Sequence, residues 1–81
     1  MSKLWGLKDL GGLIGVSPET IRSWEELSLI PTSARIGRAR KRVWGKTNTL
    51  AILTYAKDIL NYPIPSRVFE EVNGYETTQN K

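Results

Sequence analysis

The side chains best placed to do chemistry in this sequence are cations, and they are unevenly spread. From Leu27 to Lys57 there is no Asp or Glu, while Arg35, Arg38, Arg40, Lys41, Arg42, Lys46 and Lys57 give the segment a charge of +7. The whole chain carries +4, so the other residues together carry −3. Segregation of this kind marks a surface for a polyanion. The competing reading is a solvated loop whose basic residues serve solubility alone. One more cation, Arg22, stands inside the stretch "GVSPETIRSWEE", Gly15 to Glu26, among Glu19, Thr20 and Ser23.

Other chemistries lack their reagents. Cys and His are both absent, which excludes disulfides and leaves carboxylates as the strong side-chain metal ligands. The commonest nucleophile and the commonest general base are missing too. The adjacent pairs Glu25-Glu26 and Glu70-Glu71 fall on helical patterns, where neighbours i and i+1 diverge and do not converge on a substrate. The residues therefore argue against an enzyme, and no cofactor or metal is expected.

A chain of 81 residues, 40% hydrophobic and 25% charged, has the size and composition of one folded domain with a thin core. No apolar run approaches the roughly 20 residues of a membrane span. The N-terminus alternates polar and apolar residues, unlike a signal peptide, so a cytoplasmic protein without membrane contact is expected.

The elements that must position the cations can be read in order. Leu7, Leu10, Leu13 and Ile14 repeat at helical spacing, which predicts a first helix over 7–14. Gly11 and Gly12 weaken it, so one of them should mark a close helix contact. Gly15 stops it as a left-handed C′ residue would. Ser17 as N-cap, Pro18 at the first position and Glu19 against the dipole start a second helix, about 18–27. Ile21, Trp24 and Leu27 should face inward, leaving Glu19, Thr20, Arg22, Ser23 and Glu26 outward. Two short helices joined by a turn of about three residues make a helix-turn-helix.

Further on, "LIP" (29–31) and "RVW" (42–44) are β-prone and bracket a basic tip containing Gly37. They predict a two-stranded hairpin. Thr47 or Asn48 can cap a longer helix to about Leu60, with Leu50, Leu53, Ala56 or Lys57, and Leu60 as its buried stripe. "NYPIP" breaks the chain, and Pro65 can open a last helix, 65–72, with Val68, Phe69 and Val72 inward. The polar end, 73–81, reads as a frayed tail beyond a domain of residues 1–72.

The pattern resembles the MerR family of winged helix-turn-helix proteins over about residues 5 to 60. The stretch "LKDLGGLIGVSPETIRSWEELSLIP" looks like the family's opening segment, and "RKRVW" sits where its wing ends. Gly11 stands where a small Ala is usual, Ser23 and Trp24 replace two Tyr, Glu25 is kept, and Ser28 replaces the Gly that ends the second helix. Arg40 falls near the usual wing glycine, with Gly37 earlier. Arg42 and Trp44 match the family's wing Arg and the aromatic two residues after it. Longer members carry a dimerising helix and an effector-sensing region, and neither fits after Tyr62, so the likeness is to a short form.

The resemblance implies a mainly α fold of about four short helices with a two-stranded wing, bound to double-stranded DNA. The second helix would enter the major groove with Ser17, Pro18, Glu19, Thr20, Arg22 and Ser23 at its leading edge. Arg22 would meet a phosphate or a guanine, and Thr20 and Ser23 backbone or base. Glu19 would accept from a cytosine amino group. Alternatively, Glu19 only stabilises the helix start and Arg22 pairs with Glu25 or Glu26. Arg35, Arg38, Arg40, Lys41 and Arg42, about 32–42, would lie on phosphates or in the minor groove, where Arg is favoured over Lys. Trp24 and Trp44 are better placed for core packing than for stacking on single strands, while Trp5 either caps the core or meets DNA backbone. The implied role is a small bacterial or phage transcription regulator. An excisionase-like architectural factor of a mobile element is the second reading, with adjacent copies on DNA and an integrase or RNA polymerase as protein partners. An RNA-binding or protein-interaction module is the third.

Overall fold

A computed structural model describes residues 3–74. Along the chain lie β1 (Trp5–Gly6), α1 (Leu7–Ile14), α2 (Pro18–Glu26), β2 (Ala34–Ile36), β3 (Lys41–Trp44), α3 (Lys46–Asp58) and α4 (Ser66–Asn73). Among the described residues the expected four short helices accompany a three-stranded antiparallel sheet of order β1-β3-β2, one strand more than the expected hairpin, in a small α/β domain. No helix among the described residues is long and apolar enough to cross a membrane.

The first helix keeps its expected bounds. Asp9 Oδ2 accepts the Gly6 N–H at 2.9 Å, which satisfies a donor at the helix entrance. Gly11 is the close contact that the glycine pair predicts: a Cβ there would lie 2.6 Å from the Val16 carbonyl oxygen, whereas Gly12 faces open space. Gly15, at φ +94°, ends the helix and donates to the Gly11 carbonyl at 2.7 Å. The chain then turns through Val16 and enters α2, where Ser17 Oγ accepts the Thr20 N–H at 3.3 Å.

Helix α2 buries Ile21 and Trp24, but not Leu27, which is 67% exposed. Leu27 still donates a helical hydrogen bond to Ser23 O at 2.9 Å, but each spacing of three falls about 60° short of a full turn and carries it off the Ile21–Trp24 face. Ser28 takes the left-handed conformation at φ +62°. Its N–H donates to Glu25 O and that of Leu29 to Trp24 O, both at 2.9 Å. This is the Schellman pattern, here closed without glycine. Ile30 is buried and takes the core place expected of Leu27.

The hairpin also differs from expectation. Its first strand is Ala34–Ile36, not Leu29–Pro31, and pairs Ala34 with Val43, Arg35 with Arg42 and Ile36 with Lys41. Pro31 has no N–H for a ladder, and its carbonyl instead accepts Trp44 Nε1–H at 2.7 Å. The four intervening residues hold Gly37 and Arg40 at positive φ, so Arg40 takes the backbone conformation that glycine favours. On the other side of β3, Trp5 pairs with Trp44 and Gly6 with Val43, adding the third strand.

Helix α3 starts at Lys46 with Gly45 as N-cap, ahead of Thr47. Leu53 and Ala56 are buried as expected, Thr49 and Ile52 join them, and Leu50 and Leu60 lie at the margin. Helix α4 runs one residue past Val72, burying Val68 and Val72 with Phe69 at the edge. Asn73 is thus helical, and residues 75–81 of the expected tail lie outside the described residues. Trp5, Trp24 and Trp44 are all buried in one core with Leu10, Ile21 and Ile52, which resolves Trp5 as a core residue. Trp24 packs on Tyr62 with ring centres 5.8 Å apart.

Candidate nucleic-acid interface

The outer side of α2 is set by what faces in. With Ile21 and Trp24 buried, Ser17, Pro18, Glu19, Arg22, Ser23 and Glu26 are exposed, and Thr20 is half-buried. The hydroxyls of Ser17 and Thr20 lie 3.1 Å apart, so both serve the helix cap. Arg22 stands between two carboxylates. Its Nη1 is 3.4 Å from Glu19 Oε1 and its Nε donates to Glu26 Oε2 at 3.1 Å, with the side chain 48% exposed. The hydrogen bond to Glu26, then the charges of Glu26 and Glu19, raise the Arg22 pKa. Reciprocally, the Arg22 hydrogen bond and charge hold the Glu26 carboxyl below the usual carboxylate range, with Arg42 adding less.

The five expected basic residues of the hairpin divide in two. Arg35 on β2, Arg38 and Arg40 in the turn, and Lys41 at the start of β3 are exposed. None of the four is ion-paired with a described carboxylate. Arg42 does not face outward with the other four. Side chains alternate along a strand, so Arg42 shares the face of the buried Trp44. Its side chain is only 17% exposed and turns back towards α2.

There Arg42 meets both carboxylates at the end of the helix. Its Nε lies 3.3 Å from Glu25 Oε1 and its Nη2 3.5 Å from Glu26 Oε2. The Glu25 Oε1 contact is a charge pair without hydrogen-bond geometry, and Arg42 Nη1 is buried without a hydrogen-bond partner. Glu25 is anchored by its other oxygen, which accepts the Ser33 N–H at 2.6 Å and the Ser33 hydroxyl at 2.7 Å. A continuous chain of charge therefore runs Glu19–Arg22–Glu26–Arg42–Glu25 and ends on Ser33, tying the helix to the hairpin.

Neither Ser33 nor the pairing of Glu25 with Arg42 follows from local spacing, because only the packing of the hairpin on α2 brings them together. Two consecutive carboxylates stand immediately before the acid-free basic segment, but that order does not say which cation they take. Among the described residues, no three acidic side chains converge in a way that could hold a metal ion. Nothing among family models, curated proteins or solved structures matches the chain.

Proposed function

We propose that the chain is a winged helix-turn-helix protein that binds double-stranded DNA and regulates transcription. Helix α2 would lie in the major groove, with the β2–β3 hairpin as a wing on the adjacent backbone or minor groove. The observation that carries this reading is the ion-pair bridge from Arg42 to Glu25 and Glu26, which fixes a basic hairpin beside an outward polar helix face. Four exposed cations, Arg35, Arg38, Arg40 and Lys41, then sit on an element held by that helix. Phosphate contacts from the hairpin set position, and the helix reads bases. Arg42 is the strut of the arrangement, not one of its phosphate contacts.

The α1–turn–α2 unit supports the reading, because Gly11 lets the Val16 backbone cross the first helix closely. Burial of all three tryptophans favours duplex over single strands, since none is left as a stacking platform. The test is fluorescence anisotropy with matched duplex and single-stranded probes over a range of salt. Duplex should be preferred, with a log–log salt slope of about −3 to −5 from the four hairpin cations. Equal affinity for single strands, with little response to salt, would overturn the proposal.

A further inference from the structure

The hairpin is basic, but the helix face proposed to enter the groove is not. Glu19, Arg22 and Glu26 follow one another along α2 at spacings of three and four and sum to −1. A phosphate approaching Arg22 would meet a guanidinium already occupied through Nη1 and Nε, with a carboxylate on either side. The edge of a base carries acceptors without net charge and is not repelled in this way. Guanine offers two such acceptors, O6 and N7, to one arginine.

Resting on the DNA-binding reading above, we propose that Glu26, seconded by Glu19, is a selectivity residue that withholds Arg22 from phosphates and releases it to a base edge. The release is built into the geometry. The Glu26 oxygen that accepts from Arg22 at 3.1 Å also lies 3.5 Å from Arg42 Nη2. When Arg22 swings to DNA, that carboxylate keeps a cationic partner, and Arg42 keeps Glu25 at 3.3 Å. Glu19 alone loses its cation, and its side chain is 80% exposed, so water solvates it; no buried charge is stranded. In a non-specific complex there is no base contact to compensate, so the two carboxylates only repel the backbone. Affinity for random DNA would then come from the hairpin, and discrimination from the helix.

The experiment compares full-chain wild type with Glu26→Gln and Glu19→Gln on a pool of random duplexes of about 20 bp, the natural site being unnecessary. Glutamine keeps an acceptor for Arg22 and Arg42 while removing the charge. Glu26→Gln should bind the pool about three- to tenfold more tightly near 50 mM salt. Its salt slope should steepen by about one, because Arg22 becomes a phosphate contact. Sites selected from the pool by the variant should hold less sequence information than those selected by wild type. A merely structural Glu26 gives the opposite sign, since loosening the hairpin weakens binding to every duplex and lowers the melting temperature. Unchanged or weaker pool binding by folded Glu26→Gln overturns the proposal. If that variant does not fold, Glu19→Gln, which makes no contact with Arg42, decides by the same measure. Failure of wild type to bind any duplex would instead sink the DNA-binding reading, and this inference with it.

Discussion

Arg42 Nε of the hairpin lies 3.3 Å from Glu25 Oε1 of α2, with the two side chains only 17% and 9% exposed. A nearly buried ion pair of this kind adds little net stability over an apolar pair of the same shape, yet removing Glu25 leaves the largely buried Arg42 with only the longer contact to the exposed Glu26, at 3.5 Å. Glu25→Ala should therefore cost about 3 kcal/mol, a large share of the stability of so small a domain. It also strips Ser33 of the acceptor for its N–H and hydroxyl. The double variant Glu25→Ala/Arg42→Met should lose less than the sum of its single changes, read from urea unfolding of all four proteins.

The two glycines of α1 should respond to alanine with opposite signs. At Gly12 a methyl enters open space, so Gly12→Ala should stabilise by about 0.5–1 kcal/mol through helix propensity. At Gly11 the same methyl would lie 2.6 Å from the Val16 carbonyl oxygen, a backbone atom that cannot rotate away. Gly11→Ala should destabilise by about 1–3 kcal/mol as the turn is pushed off the helix. Thermal melts of the two variants check this, and similar shifts in both would remove the close approach as an explanation.

Ser28 holds a left-handed conformation, φ +62°, in a Schellman cap that glycine fills without steric cost. Ser28→Gly should stabilise the domain by up to about 1 kcal/mol, the relief of strain being partly offset by the more flexible unfolded chain. Urea unfolding measures it. A loss of stability would mean that the serine side chain contributes to the cap.

What the sequence made legible follows from how local each signal is. Leu7–Ile14 could be bounded correctly because leucine spacing and Gly15 lie within a few residues of one another. Strand β1 could not, since two residues, Trp5 and Gly6, become a strand only by pairing with Trp44 and Val43 far along the chain. The inward turn of Arg42 was readable in principle from its alternation with Trp44. The partner it finds was not, because helix geometry alone sends Glu25 and Glu26 in different directions, and only the packing of the hairpin against α2 lets one guanidinium reach both. Leu27 misleads for a related reason. Its spacing from Trp24 is helical, but successive spacings of three drift by about 60° each, so Leu27 leaves the face that Ile21 and Trp24 bury.

Arg22 separates the helix's part in binding from that of the hairpin. Its side chain touches Glu19 and Glu26, both exposed, so Arg22→Ala should leave the far-ultraviolet circular dichroism spectrum and melting temperature near wild type. If Arg22 serves a base, the variant should lose about 1–3 kcal/mol on a duplex selected by wild type, and the preference should relax at one position. On random duplex it should lose much less, because Arg35, Arg38, Arg40 and Lys41 remain exposed on the hairpin. If it serves a phosphate, both duplexes should weaken together, with a salt slope shallower by about one. Wild-type affinity for both duplexes in a folded Arg22→Ala protein would show that α2 does not read DNA, and would leave the basic hairpin as the whole of the interaction.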